Sequence, residues 1–137
     1  MDIQAIQTLF EEKNTFSKKL GIEFAKLGSG SATCTMLIRD DHRNLFGTVN
    51  AGAIYTLAET AFGGAANSHG NATVAVNLTI AYLAPATDGT LIATAEELSA
   101  GGRLATYSIK VHDDANRLIA EVQATGYRTK KPLEELA

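Results

Sequence analysis

The architecture of this protein follows from residues 50–67, which read NAGAIYTLAETAFGGAAN. The middle of this stretch, from Ala53 to Ala66, is rich in alanine and apolar residues, so we predict a helix over residues 50–67. Apolar side chains lie all around the predicted helix, which is typical of a helix that is buried on every side. Other elements must therefore surround it.

The segments that flank this helix have the patterns of β-strands. Residues 31–38 alternate, with Ala32, Cys34, Met36 and Ile38 on one face. Five further strands, separated by turn signals, are predicted at residues 22–27, 73–83, 90–98, 104–112 and 118–129. An antiparallel sheet wrapped around the helix would bury it, so we predict an α+β fold.

The two ends of the chain have different patterns. Residues 1–20 have apolar side chains at helical spacing and predict an N-terminal amphipathic helix, with Gly21 as its stop. Residues 130–137 predict a polar tail. Since domains cluster around ~100–150 residues, the 137 residues are expected to form a single domain.

Composition excludes several classes of function. A net charge of −3 argues against nucleic acid as a partner, because nucleic-acid binding favours a basic surface. One cysteine, Cys34, rules out an intrachain disulfide framework. The sequence contains neither a basic-plus-apolar leader nor an apolar run of ~18 residues. We therefore expect a cytoplasmic protein without a membrane partner.

Glu59 is the strongest candidate for chemistry. Between Asn44 and Thr87 it is the only side chain that is ionised by default. Burying a carboxylate costs several kcal/mol unless the group is paired or its pKa rises. Glu59 is thus a candidate general base or nucleophile in an apolar site. The alternatives are that its face of the helix reaches solvent, or that a distant arginine pairs with it.

The start of the helix is a second candidate. Asn50 is a favoured N-cap residue, and capping alone would explain it. The free N–H groups of Ala51 and Gly52 would also form an oxyanion hole. Ala51 and Glu59 lie about 12 Å apart along one helix, too far to act on one carbonyl. If both are catalytic, two antiparallel copies must share each site, which predicts at least a dimer.

The remaining polar residues give weaker signals. Asn44, in the loop before the helix, would orient water or a carbonyl, or would only hold a turn. The three histidines are far apart and lack metal-ligand spacing, so no metal site is expected. The pair Gly63–Gly64 indicates either close approach of a facing element or an early end of the helix.

Two of these segments resemble a known family. Residues 42–52, HRNLFGTVNAG, followed by residues 57–63, LAETAFG, are similar to the signature of the PaaI-like (phenylacetate-degradation) group of hotdog-fold acyl-CoA thioesterases. The resemblance implies a hotdog fold, in which an antiparallel sheet wraps around one long central helix. It also implies edge-to-edge homodimers, which often assemble into homotetramers.

The resemblance also implies roles for particular residues. Glu59 takes the place of the acid that serves as general base or nucleophile, and Asn44 that of the asparagine that positions the carbonyl or the water. Ala51 and Gly52 occupy the positions whose backbone amides polarise the thioester. The substrate would be an acyl- or aryl-CoA, with no cofactor besides the coenzyme A that it carries. Candidates to meet the coenzyme A phosphates are Arg103, Arg128, Lys130 and Lys131.

The sequence departs from the family signature at two positions. The family histidine is Asn50 here, so this residue would bind substrate by a hydrogen bond rather than transfer a proton. The first glycine of the signature is Ala51, whose Cβ would crowd the thioester. These departures keep a second reading open, a non-catalytic module that binds acyl-CoA or fatty-acyl groups. A hotdog dehydratase is a weaker alternative, because no histidine follows Glu59 before His69.

Overall fold

The computed structural model describes all residues, 1–137, and contains three α-helices and six β-strands. In chain order they are α1 (Ile3–Lys13), α2 (Thr15–Lys19), β1 (Ile22–Gly28), β2 (Ser31–Leu37), α3 (Ala51–Asn67), β3 (Asn71–Tyr82), β4 (Thr90–Gly101), β5 (Leu104–His112) and β6 (Leu118–Pro132). The strands form one antiparallel sheet in the order β1-β2-β4-β5-β6-β3. Helix α3 packs against all six strands, which confirms the predicted α+β fold with a helix inside a curved sheet.

The core lies between α3 and the concave face of the sheet. Alternate residues of β2 are buried there, namely Ala32, Cys34 and Met36, as their period of two predicts. Phe62 of α3 packs edge-on against Tyr107 of β5, with ring centroids 5.3 Å apart. The alternating strand pattern thus places the sheet's apolar face on the helix.

Side-chain hydrogen bonds fix both ends of α3. The side chain of Asn50 accepts a hydrogen bond from the Gly52 N–H at 2.7 Å and caps the start. At the other end, the Asn67 amide donates to the carbonyls of Gly63 and Thr73 and accepts from the Thr73 N–H. These bonds tie the helix end to β3. The helix therefore continues through Gly63 and Gly64, and the alternative of an early end is wrong.

The chain ends differ from the sequence prediction. The helix predicted over residues 1–20 is two helices, with a break at Asn14. The residues predicted as a polar tail extend β6 to Pro132 and then form a short 3-10 helix, Leu133–Leu136. Leu133 is buried against Ile6 and Leu9 of α1. Two leucines among charged neighbours are too few to give a clear periodic signal, although the burial of Leu133 is enough to anchor the segment.

The outer strand β3 has a free edge, because only β6 pairs with it. Two of its side chains, Val74 and Val76, are 55% and 60% exposed. An unpaired, apolar strand edge is a surface on which another strand can pair. No helix of this structure has the length and apolar character needed to span a membrane.

Candidate active site

One face of α3 is left uncovered by the rest of the chain. Ala51, Gly52 and Tyr55 are exposed, and Thr56 and Glu59 are half-buried. These residues share a face because positions three and four apart are neighbours on a helix. The expectation that α3 is buried on every side is wrong here, since Tyr55 is 37% exposed. When apolar residues surround a whole helix, the sequence does not show which face the rest of the chain leaves uncovered.

Glu59 lies on this face without a partner. No cation forms an ion pair with its carboxylate, so the alternative of a distant arginine is excluded. Burial raises the pKa of Glu59 above its usual value of 4.5, and no other group contributes to that shift. The alternative that its face reaches solvent holds in part, since the residue is half-buried.

The start of α3 retains one free donor. The Gly52 N–H is taken by the Asn50 side chain at 2.7 Å, and the N–H groups of Ala53 and Ile54 donate to the Asn50 carbonyl. The Ala51 N–H has no acceptor within the chain. Of the two oxyanion donors expected from sequence, Ala51 is therefore the one left available.

Asn44 holds its own loop together. Its Oδ1 accepts hydrogen bonds from the N–H groups of Phe46 and Thr48, and its Nδ2 donates to the Thr48 hydroxyl at 2.9 Å. The structure thus shows the turn role that the sequence left open. One Nδ2 hydrogen remains for another acceptor, because an amide nitrogen carries two.

Asn44 and Ala51 line a common cavity of about 300 Å³ at the helix start. Tyr82, from the end of β3, lines it too, and its hydroxyl donates to the Ala51 carbonyl at 2.8 Å. Tyr82 could not be predicted as a site residue from the sequence, because an aromatic residue at a strand end carries no distinctive spacing. Glu59 is not among the residues that line this cavity.

Three of the four basic residues proposed to meet the coenzyme A phosphates lie around one cavity at the other end of the sheet. Arg103 and Lys130 line a polar cavity of about 300 Å³ without hydrophobic residues in its wall, together with residues that include Arg128. The Arg128 guanidinium turns toward Glu97, 4.0 Å away, which also accepts hydrogen bonds from Tyr107 and His69. Arg103 stacks over the Tyr127 ring, with 6.0 Å to the centroid. Lys131 does not line the cavity.

Cys34 and His42 have structural surroundings. Cys34 is fully buried, and burial raises the pKa of its thiol. The buried His42 ring accepts a hydrogen bond from the Arg39 N–H, and its other nitrogen contacts the Leu20 carbonyl at 2.8 Å. No three His, Cys, Asp or Glu side chains are arranged to hold a metal ion.

Comparison with known proteins gives consistent matches. Residues 46–120 match the family described as the thioesterase superfamily. Acyl-coenzyme A thioesterase PaaI of Escherichia coli strain K12 is 32% identical over 118 residues, which cover 85% of this chain and 84% of that protein. Acyl-coenzyme A thioesterase 13 of Homo sapiens is 29% identical over 131 residues, covering 93% and 91%. The solved structure of E. coli PaaI, a protein of the phenylacetic acid degradation operon, has a TM-score of 0.92 at 29% identity and covers 95% of each chain.

Proposed function

This chain belongs to the thioesterase superfamily and is a PaaI-like thioester hydrolase of the hotdog fold, and we propose that it hydrolyses acyl- or aryl-coenzyme A thioesters. The observation that carries the proposal is Glu59, a half-buried carboxylate without a partner on the uncovered face of α3. Desolvation makes such a carboxylate a stronger base, which suits proton abstraction from water near neutral pH. The names of the two relatives above supply the substrate class.

In the proposed reaction, Glu59 takes a proton from a water molecule while the water oxygen attacks the thioester carbon. The carbonyl oxygen becomes an oxyanion, and the Ala51 N–H stabilises it. The intermediate then collapses, the carbon–sulfur bond breaks, and the thiolate of coenzyme A leaves and takes up the proton. In a variant of this route Glu59 attacks directly, and water hydrolyses the resulting anhydride. The free Nδ2 hydrogen of Asn44 and the exposed amide of Asn50 are further donors near the thioester.

We propose that each site lies between two copies of the chain. The Ala51 N–H and Glu59 are about 12 Å apart along α3, whereas both must lie about 3 Å from the reacting atoms. Two antiparallel copies of α3, related by a two-fold axis, would place the Ala51 N–H of one subunit beside the partner subunit's Glu59. The free edge of β3 and its exposed Val74 and Val76 support such pairing, since β3 packs against α3 and only β6 pairs with it. Two such dimers would form a tetramer.

We place the coenzyme A phosphates at the polar cavity that Arg103 and Lys130 line. Neither side chain forms an ion pair with a carboxylate in this chain, and the one hydrogen bond of Arg103, to the Arg128 carbonyl, leaves most of its donors available for an anion. Arg128 is less suited, because it faces Glu97. Guanidinium groups bind phosphate through paired hydrogen bonds, which favours Arg103 as the main contact.

A second candidate function is a non-catalytic module that binds acyl-CoA. It is favoured by Asn50, which stands where the family signature has histidine, and by the Asn44 amide, which is largely committed to its own loop. A binding module has no need of a carboxylate beside the thioester, so it would retain its affinity when Glu59 is neutralised.

The test is release of free coenzyme A from short, medium, long and aryl acyl-CoAs by the wild type and by Glu59→Gln. We expect the variant to lose at least ~10²-fold in kcat/KM, as for removal of a general base. The matched control is Glu121→Gln, which neutralises an exposed glutamate on β6 and should leave the rate unchanged. Absence of hydrolysis by the wild type, with acyl-CoA still bound by both proteins, would establish the binding module instead.

A further inference from the structure

We propose that Phe10 of the N-terminal helix α1 forms the end wall of the acyl pocket beside Glu59 and limits the size of the acyl group. The inference rests on the proposed acyl-CoA site and adds a residue that determines its specificity. It also gives α1 a role that neither composition nor periodicity reveals.

The space above Gly63 brings the two residues together. Gly63 lies one helical turn beyond Glu59, on the same face of α3. A Cβ at Gly63 would lie 3.4 Å from Cε1 of Phe10 and 3.8 Å from Oε2 of Glu59. The ring and the carboxylate therefore border the same space, so α1 reaches the proposed reaction centre directly.

A second ring holds Phe10 in place. Phe24 of β1 meets it edge to face, with centroids 5.4 Å apart at an interplanar angle of 64°. Phe24 in turn lies over Gly64, where a Cβ would come within 3.1 Å of the Leu27 side chain and closer still to the Phe24 ring. Gly64 thus makes room for the Phe24 ring, which confirms that close approach of a facing element explains the glycine there, whereas at Gly63 an added Cβ would make only ordinary contact with Phe10.

The direction of the acyl group follows from the surroundings of Glu59. The thioester carbon must lie about 3 Å from the attacking group, so the acyl and coenzyme A portions leave this point in different directions. Toward Ala51 no ring of this chain covers the helix face, and in the proposed antiparallel pair that direction leads to the end of the partner subunit's α3 near its polar cavity, which suits the coenzyme A portion. Toward Gly63 the face ends at an apolar ring, which suits the apolar acyl portion because burying it removes it from water.

Empty space lies on both sides of Phe10. One cavity of about 400 Å³ is bordered by Phe10, Phe24 and Ile22 on one side, and polar residues, among them Glu11 and Lys18, line the rest of it. Another, of about 280 Å³, is bordered by Phe10 together with Leu9, Val74 and Leu133. The phenyl ring therefore separates the point beside Glu59 from room that a longer acyl chain would fill. Shortening Phe10 should open the pocket into these cavities.

Helix α1 is anchored apart from the main core. Ile6 and Leu9 pack with Leu133 in a separate small cluster, and the Lys13 ammonium donates to the Leu136 carbonyl at 2.6 Å. Phe10 is itself only half-buried and borders this cluster. Its replacement should therefore alter the pocket without unfolding the sheet and α3.

The experiment compares kcat/KM across short, medium, long and aryl acyl-CoAs for the wild type and Phe10→Ala. We expect the variant to shift its preference toward longer chains, by about fourfold for each methylene that gains burial. Phe10→Trp should shift the preference the opposite way, toward short chains. The matched control is Phe16→Ala on α2, whose ring is 66% exposed and should leave the profile unchanged.

Two further measurements keep the outcome clear. If Phe10→Ala unfolds, Phe10→Leu retains most of the packing and should show a smaller shift in the same direction. Affinities of Glu59→Gln for non-hydrolysable thioether analogues of the same lengths, with and without Phe10→Ala, test the pocket without any hydrolysis. If the folded Phe10 variants show the same dependence on acyl-chain length as the wild type, the role of Phe10 is overturned. Absence of hydrolysis by the wild type would overturn only the proposed reaction.

Discussion

The two halves of α3 are built from similar residues but have different surroundings. From Gly63 onward every residue of the helix is buried, and rings from α1 and β1 cover its outer face. From Ala51 to Glu59 the corresponding face has no cover. The covered half contributes packing energy to the fold, whereas the open half carries an unused N–H and an unpaired carboxylate. Glu59 lies at the boundary, where burial already raises the pKa of its carboxyl and space for substrate remains.

The largest effect should come from removing the unused donor of the open half. Ala51→Pro deletes the backbone N–H, and we expect kcat to fall by about 10²–10³-fold, as for loss of an oxyanion-hole donor. The fold should tolerate proline, because Ala51 is the first helical residue and its N–H has no acceptor to lose. Asn50, with φ −59° and ψ 137°, already has the conformation that a following proline requires. The measurement is coenzyme A release, with Ala51→Ser, which keeps the N–H, as the control.

Mixing two inactive variants tests whether the open halves of two subunits face each other. A heterodimer of Ala51→Pro and Glu59→Gln would contain one site with an intact Ala51 N–H and an intact Glu59. Random exchange in an equal mixture should therefore restore about a quarter of the wild-type activity. A mixture that stays inactive after verified subunit exchange would place both groups in the same chain or remove one of them from the mechanism.

The second-largest effect is a change in kcat/KM of about tenfold per pH unit, and it depends on Glu59. Burial raises the pKa of Glu59 above 4.5, and a general base must be ionised to accept a proton. The value of kcat/KM should thus fall tenfold per pH unit below that raised pKa, with the acid limb above pH 4.5. A pH–rate profile measures this. An acid limb at or below the usual value of 4.5 would contradict a desolvated base.

The same shift has a consequence for stability. Because the folded state favours the neutral carboxyl, stability contributed by Glu59 is full below pH 4.5 and declines as the pH rises through the raised pKa. Glu59→Gln removes this penalty and should be more stable than the wild type at neutral pH, with the difference vanishing below about pH 4.5. Urea unfolding at several pH values provides the comparison.

The covered half of α3 could be predicted from the sequence, and so could most of the fold. The alanine-rich stretch and the period-two strands predict a helix inside a sheet, since burial and periodicity are local signals. Glu59 was found because an unpaired charge in an apolar stretch is costly wherever the chain folds. The capping role of Asn50 likewise follows from residue type and position.

The contacts that surround the open half could not be predicted from the sequence in the same way. The contact of the Tyr82 hydroxyl with the Ala51 carbonyl depends on tertiary geometry, because the two residues lie on different elements 31 positions apart. The contact of Phe10 with the space beside Glu59 joins residues that lie 49 positions apart in the sequence. No spacing rule connects such residues, because the packing of α1 against Leu133 at the far end of the chain helps to set its position.

The smallest effect should separate the two glycines of the covered half. At Gly64 an added methyl would come within 3.1 Å of Leu27 and overlap the Phe24 ring, which Phe10 holds in place. Overpacking of this kind costs about 1–3 kcal/mol, and the gain in helix propensity returns roughly 1 kcal/mol. We expect Gly64→Ala to lower the free energy of unfolding by about 1 kcal/mol, measured by urea unfolding. At Gly63 an added Cβ would lie 3.4 Å from Cε1 of Phe10, which is an ordinary contact. We therefore expect Gly63→Ala to leave the free energy of unfolding unchanged or to raise it. The same methyl group should narrow the acyl pocket. Equal effects of the two substitutions would mean that the rings do not confine this half of the helix, and the wall assigned to Phe10 would then be too mobile to select acyl groups.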